Sequence, residues 1–105
     1  MYLCIYFKNE EDTMNENEIV KQVKEYLKSV KDCFFWKEHG GQFGTAGIPD
    51  IIACVRGRFV AFEVKTATGK VTVLQAVTIR KIQAAGGIAA VVRSVGEARA
   101  IIERL

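Results

Sequence analysis

The stretch that decides the fold is DIIACVRGRFVAFEVK, residues 50–65. Two runs of apolar, strand-forming residues flank Arg56-Gly57, and a two-residue connection containing glycine is typical of a tight β-hairpin. Both runs are apolar at nearly every position, which predicts a sheet that is covered on both faces. If the turn is Arg56-Gly57, then Val55 pairs with Arg58 and the register of the whole hairpin follows.

That register brings two carboxylates together. Asp50 lies opposite Glu63, and directly opposed residues have Cβ atoms about 5 Å apart. Like charges in this position are destabilising, so folding alone does not explain the pair. A divalent cation between the carboxylates reverses the sign of the interaction, and Mg²⁺ is commonly held by one or two carboxylates with water and phosphate oxygens.

A lysine completes this arrangement. Lys65 follows Glu63 by two residues and therefore points to the same face of the strand. A cation there can orient a water or stabilise charge that develops on a phosphate. Taken singly, Pro49-Asp50 can be a turn, and the other two residues can be edge charges. Their common register next to a glycine-rich loop favours a site for metal-assisted hydrolysis of phosphodiester bonds.

The rest of the chain predicts helices before and after this hairpin. Apolar spacings of one, three and four residues indicate an amphipathic first helix capped by Asn15, and capping-box patterns open the two later helices. The predicted order is a strand or arm over residues 1–8, a linker to residue 15, a helix from Glu16 to about Lys31, a strand over 33–37, a glycine-rich loop over 40–47, strands over 50–55 and 58–65, a helix from Thr72 to about Ala85, a strand over 88–92 and a helix ending near Leu105.

Size and composition are those of one globular domain. The chain has 105 residues and a net charge of +3. Five acids and one lysine lie in residues 1–18, so the remainder, with fourteen basic and seven acidic residues, carries +7. A basic body is compatible with a polyanionic partner. No apolar run reaches the roughly 18 residues of a membrane span, no signal peptide is evident, and the odd, dispersed cysteines predict free thiols. We therefore expect a cytoplasmic protein.

The motifs resemble a known family. Gly47-Ile48-Pro49-Asp50, then Glu63-Val64-Lys65, then Gln75 inside a helix, are similar to the virus-type replication-repair nuclease domain (VRR-NUC) of the PD-(D/E)xK superfamily. The resemblance spans roughly residues 18–104. It implies an α/β fold of the restriction-endonuclease type, with an αβββαβ core and a mixed sheet flanked by helices. The expected domains are an N-terminal arm and linker over residues 1–15 and a nuclease domain over 16–105.

The resemblance also implies roles for individual residues. Mg²⁺ or Mn²⁺ would be bound by Asp50, Glu63 and the carbonyl of Val64, with Lys65 as the catalytic lysine and Gln75 close to the metal. Glu18 best matches the acidic residue of the first helix that commonly completes the site, with Glu16 and Glu25 as alternatives. Two of these residues also have structural explanations, because Gln75 fits a capping box and Glu18 favours the positive end of a helix dipole.

Further candidates line the expected path of DNA. Lys37, His39, Gln42 and Thr45 flank or lie in the glycine-rich loop, and His39 is more simply a phosphate contact or a solvated residue than a general base. Basic residues elsewhere are candidate backbone contacts: Lys70, Arg80, Lys81 and Arg93. The aromatic run Phe34-Phe35-Trp36 could stack on bases, but alternating burial in a strand favours the core for most of it.

The sequence supports three hypotheses about function. The first is a DNA endonuclease, and the resemblance implies branched DNA such as four-way junctions, cut by a homodimer in viral or prophage replication or repair. The second is a less selective nicking nuclease, because no separate element for base recognition is evident. The third is a catalytically silent DNA-binding module, against which the presence of both acids and the lysine argues.

Overall fold

The computed structural model describes residues 14–39 and 45–105. It confirms the predicted fold class and order of elements. The elements are α1 (Glu16–Lys28), β1 (Cys33–Lys37), β2 (Ile51–Val55), β3 (Arg58–Val64), α2 (Val73–Ala84), β4 (Ile88–Val92) and α3 (Val95–Ile102). The strand predicted over residues 1–8 and most of the linker lie outside the described residues.

One mixed sheet of four strands, in the order β1-β2-β3-β4, organises the domain. The pairs β1–β2 and β2–β3 are antiparallel, and β3–β4 is parallel. The parallel pair follows from the connection through α2, since parallel strands need a long crossover. β3 therefore lies inside the sheet between β2 and β4, which explains why nearly all of its side chains are buried.

The hairpin has the predicted register. Val55 pairs with Arg58, and the remaining pairs follow to Ile51 opposite Phe62. The two turn residues have positive φ, 48° at Arg56 and 82° at Gly57. That backbone twist matches the twist of the flanking strands and is the reason that two-residue hairpin turns favour glycine.

The sheet separates two apolar cores. One face packs against α1 and α3, with Val60, Phe62 and Val64 of β3 buried beneath them. The other face packs against α2, where Ala61 of β3 contacts a smaller cluster that includes Ile79. This alternation along β3 follows from the two-residue period of a strand and places the side chains of Glu63 and Lys65 on the α2 face.

The helices begin where the sequence predicts. Asn15 caps α1 with a complete capping box, and Thr72 caps α2 in the same way. α1 ends at Lys28, about three residues earlier than predicted, because a short turn leads into β1. Met14 packs against the larger core, so the last two residues of the predicted linker contact the folded domain.

One expectation about the aromatic run is wrong. Phe35 packs against the larger core, but Phe34 is 70% exposed and Trp36 is 45% exposed. Both lie on the α2 face of β1, which is at the edge of the sheet that residues 14–39 and 45–105 form. The helix that covers this face contacts β4 rather than β1, so the aromatic side chains at this edge remain open to solvent.

No helix in residues 14–39 and 45–105 is long and apolar enough to cross a membrane.

Candidate active site

Asp50 is fixed between two strands at the start of β2. Its backbone carbonyl accepts a hydrogen bond from the N–H of Glu38, at 2.7 Å, just beyond β1. Its carboxylate oxygen Oδ2 accepts the backbone N–H of Val64, also at 2.7 Å. The carboxylate is therefore oriented by β3 itself and does not depend on a flexible side-chain partner.

The carbonyl of Val64 lies on the same edge of β3. Lys65 donates its backbone N–H to Val92 of β4 (3.1 Å), and successive residues of a strand direct their backbone groups to opposite sides. Continued by two residues, the hairpin register places Pro49 opposite Val64. Proline has no N–H to donate. The Val64 carbonyl therefore receives no ladder hydrogen bond from this partner and faces the Asp50 carboxylate.

Glu63 is a buried carboxylate near the end of β3. Only 2% of the residue is exposed. Its Oε2 accepts a hydrogen bond from Nε2 of Gln75 at 3.2 Å. The Nζ of Lys65 lies 4.0 Å from the same oxygen. A hydrogen-bond donor from the helix and a positive charge from the strand thus approach the same carboxylate oxygen.

The surroundings of Glu63 favour its protonated form when no cation is present. Burial raises the pKa of this carboxyl to about 8, and a hydrogen bond with Asp50 and the charge of Asp50 add to the effect. The ammonium group of Lys65 acts in the opposite direction, and the charge of Glu16 raises the pKa further. A nearby cation would favour the ionised form of Glu63.

Lys65 is itself largely buried, with 9% of the residue exposed. A buried ammonium is costly unless it has a partner of opposite charge. Glu63 at 4.0 Å supplies that partner. The geometry confirms that the two side chains share one face of β3, as their two-residue spacing predicts.

A cavity of about 240 Å³ opens beside these carboxylates. Asp50, Glu63 and Gln75 line it together with Thr45 and neighbouring loop residues. Glu38 also lines the cavity, although no sequence motif points to it. Only the β1–β2 register reveals it, because that register places Glu38 level with Asp50. The structure thus brings a third acid to the mouth of the site.

Gln75 combines both roles that the sequence allowed. Its Oε1 accepts the backbone N–H of Thr72 at 2.9 Å, and its own backbone N–H donates to the Thr72 hydroxyl at 3.1 Å. Its Nε2 is left free to donate to Glu63. The capping box holds the side chain in the orientation that contacts the acid.

The two roles of Gln75 can be separated by mutation. Thr72→Ala removes a cap, at about 1 kcal/mol, without touching the contact to Glu63. Gln75→Ala should lose similar stability and, if this cavity is the active site of a nuclease, should also slow DNA cutting about tenfold, in line with a lost hydrogen bond to a charged group. Thermal unfolding and cleavage rates of both variants test this. Equal cutting by the two variants would show that Gln75 serves only the helix.

Glu18 does not lie in this cavity. It closes the capping box on Asn15 and lines a separate groove of about 610 Å³ between α1 and α3. Glu16 is the acid of α1 whose charge acts on Glu63. Helix side chains two positions apart point in different directions, and neither Glu16 nor Glu18 lines the cavity, so the α1 acid of the site stays a prediction.

The other predicted residues are dispersed. Thr45 lines the cavity, and His39 is exposed just beyond β1. Lys37 lies on the opposite face of β1 from Trp36 and donates to the Glu38 carbonyl at 2.7 Å. Gln42 falls in the part of the chain that the structure does not describe.

Arg93 has a structural task. Its guanidinium donates to the carbonyls of Thr66 and Gly69, at 2.6 and 2.8 Å. These bonds hold the loop that follows Lys65 against the end of β4. Both carbonyls occupy one guanidinium nitrogen, so this side chain is engaged by the fold rather than presented as a contact to DNA.

Gly47 sets the distance between the cavity loop and α2. Its φ is +85°, and an added Cβ would lie 2.8 Å from Leu74 Cγ and from Thr78 Oγ1. Gly57 has a similar φ of +82° but nothing within 4 Å. We expect Gly57→Ala to cost about 1 kcal/mol from backbone strain, and Gly47→Ala about 2–4 kcal/mol because overpacking is added. Denaturant unfolding measures both, and equal losses would contradict this packing.

Comparison with known proteins supports this fold. A solved structure of a VRR-NUC domain matches with a TM-score of 0.69 and 24% sequence identity, over 84% of this chain and 94% of the other. The sequence matches no known family model, and no curated protein matches it. The chain therefore has the fold of a VRR-NUC domain, as the resemblance of its motifs predicted.

Proposed function

We propose that this chain is a metal-dependent nuclease that hydrolyses phosphodiester bonds in DNA. The observation that carries the proposal is the pair of carboxylates, Asp50 and Glu63, that share one cavity with Lys65 at 4.0 Å from Glu63. A buried acid with a raised pKa, such as Glu63, destabilises the fold at neutral pH, and its surroundings beside Asp50 are those of a functional site. The fold of a VRR-NUC domain adds support for the same chemistry.

The donor set fits a hard divalent cation. Within the described residues no three His, Cys, Asp or Glu side chains cluster closely enough to hold a metal on their own. Mg²⁺ does not require this, because it retains waters and uses one or two carboxylates with substrate phosphates. Asp50, Glu63 and the Val64 carbonyl are three oxygen donors of the right kind. When bound, Mg²⁺ or Mn²⁺ would activate water and neutralise the phosphate.

The protein groups around the donors have distinct tasks. The Val64 N–H holds the Asp50 carboxylate in place, and Gln75 does the same for Glu63. Lys65 supplies a fixed positive charge for the oxygen that becomes negative as the phosphate is attacked. Its own burial keeps water away and strengthens that interaction. An acid of α1 would complete the site: Glu18 matches the family motif best, and the charge of Glu16 acts on Glu63.

The substrate in this proposal is branched DNA, such as a four-way junction. The net +7 of residues 19–105 favours a polyanion. A two-fold homodimer would present two equivalent sites, which suits paired cuts on a symmetric junction. Such an enzyme would act in DNA replication or repair of a virus or prophage, in the cytoplasm of a bacterial cell. The alternatives are a less selective nicking nuclease and a catalytically silent DNA-binding module.

A panel of DNA structures tests these proposals. Purified protein is incubated with labelled four-way junction, splayed-arm, single-stranded and linear duplex DNA in Mg²⁺, Mn²⁺ or EDTA. We expect cutting in either metal and none in EDTA, with branched DNA cut fastest. Equal cutting of every substrate would favour the nicking nuclease. Binding without any cutting would support the silent module and overturn the nuclease.

A further inference from the structure

Two aromatic side chains lie exposed beside the candidate active site. Phe34 is 70% exposed and Trp36 is 45% exposed. Their ring centroids are 6.0 Å apart with an interplanar angle of 49°, so the rings do not cover each other's faces. Large apolar side chains that remain in solvent next to each other commonly mark a binding surface.

The aromatic pair is continuous with the cavity. Phe34, Trp36 and Glu38 alternate along β1 and its extension, and therefore point to the same face. Glu38 lines the cavity with Asp50. The indole Nε1 of Trp36 donates to Glu38 Oε2 at 3.3 Å, which fixes the ring beside the cavity mouth. The row thus leads from the carboxylates outward along the edge strand.

The spacing of this row suits a nucleic acid strand. Alternate residues of a β-strand are about 6.8 Å apart, so Trp36 lies roughly one such step from the level of Asp50, and Phe34 lies two steps away. Each ring offers a flat apolar surface to one base. Paired bases inside a duplex are already stacked on their neighbours, whereas unpaired bases can stack on aromatic side chains regardless of sequence.

We infer that Phe34 and Trp36 form a stacking platform for unpaired bases within a few nucleotides of the phosphate that is cut. The inference rests on the proposed nuclease function and, among branched DNAs, favours those with unpaired nucleotides next to the scissile bond, such as a splayed arm, flap or gap, over the fully paired four-way junction. A protein partner is less consistent with this surface, because its nearest polar neighbour, Glu38, belongs to the wall of the catalytic cavity.

Trp36 is the only tryptophan of the chain, so its fluorescence reports on the platform directly. The intact protein is titrated in EDTA, which prevents cutting, with single-stranded, splayed-arm and blunt duplex DNA of matched sequence. We expect the first two to quench Trp36 and the blunt duplex to leave it nearly unchanged. Phe34→Ala should weaken binding of the first two about tenfold, as the loss of one base–aromatic stack does.

Phe59→Ala is the matched control. Phe59 is as exposed as Trp36, at 45%, and lies on the same face of the sheet, level with Phe34 but two strands away on β3. We expect its loss to leave binding unchanged. The inference is overturned by equal quenching with all three DNAs, or by equal effects of Phe34→Ala and Phe59→Ala. It is also overturned if sedimentation shows that Phe34→Ala separates a dimer, since the face is then a subunit interface.

Cutting by the wild-type protein is measured in parallel to separate the two hypotheses. Metal-dependent cutting without selective quenching would support the nuclease hypothesis and contradict the stacking platform. Selective quenching without cutting would support the stacking platform and contradict the nuclease hypothesis. Trp36→Ala adds a kinetic readout, because a binding platform predicts a higher KM for splayed-arm DNA with kcat little changed.

Discussion

Lys65→Ala is expected to reduce the rate of DNA cutting by a hundredfold or more, while metal binding is retained. A preorganised charge aimed at the developing negative oxygen is typically worth about 10²–10³ in rate. The Nζ of Lys65 lies 4.0 Å from Glu63 Oε2, beside the carboxylates rather than between them, so the oxygen donors remain in place without it. Single-turnover cleavage and metal-induced thermal shifts measure the two effects separately.

Lys70→Ala provides the control for this prediction. Lys70 is exposed in the loop that follows Lys65, so its removal takes the same charge from the same region of the protein. We expect its single-turnover cutting rate at saturating DNA to stay within about twofold of wild type, because an exposed lysine that contacts the DNA backbone affects binding and not the chemical step. If Lys65→Ala also cuts normally, the lysine has no catalytic role, and the buried charge requires another explanation.

Glu63→Gln is expected to stabilise the metal-free protein at neutral and alkaline pH. The pKa of Glu63 is raised from 4.5 to about 8, so in this interval the folded chain holds a proton that the unfolded chain has lost. The contribution of Glu63 to the free energy of unfolding is therefore greatest below about pH 4.5 and declines as pH rises towards 8. The penalty at pH 8 is on the order of several kcal/mol, and glutamine avoids it.

Melting temperatures in EDTA at pH 5 and pH 8 test this directly. The wild type should lose stability over this interval, and Glu63→Gln should lose much less and melt roughly 10 °C higher at pH 8. Added Mn²⁺ should stabilise the wild type and have much less effect on Glu63→Gln, because the negative charge that a cation requires is lost. Glu25→Gln, at an exposed ion pair with Lys28, is the control. A variant that keeps the pH dependence of the wild type would contradict the buried-acid site.

The same proton predicts that metal binding depends on pH. A carboxylate must be ionised to bind a cation, so binding releases the proton held by Glu63. Below a pKa of about 8, the apparent affinity for Mn²⁺ should rise up to about tenfold for each pH unit. Titrations from pH 6 to pH 8 check this, and an affinity that stays constant over this interval would contradict a raised pKa at the binding acid.

The hairpin was predictable because its register depends on local sequence. Once Arg56-Gly57 is recognised as the turn, the pairing of every later residue follows by counting, and the observed pairs agree. Counting pairs in this way also predicts that Asp50 lies opposite Glu63. The helix starts were predictable for a similar reason, since capping residues act on backbone groups within the same turn.

Long-range features were not predictable from local patterns. The exposure of Phe34 and Trp36 depends on which strand lies at the edge and on how far α2 extends across the sheet, and a single sequence states neither. The same applies to Glu38, which reaches the cavity only through the β1–β2 pairing. For α1, the sequence pattern favoured Glu18, which closes the capping box on Asn15, and the charge of Glu16 acts on Glu63. Which acid joins the site depends on how the helix is rotated on the sheet.

The most direct test of the central proposal is a cleavage assay that compares wild type with Asp50→Asn. The variant keeps the size of the side chain and an oxygen that can accept the Val64 N–H, but it removes the charge that a cation requires. With labelled branched DNA in Mn²⁺, we predict cutting by the wild type, none in EDTA, and a loss of at least about a hundredfold in the folded variant. Equal cutting by both proteins would contradict a metal-dependent active site at Asp50 and Glu63.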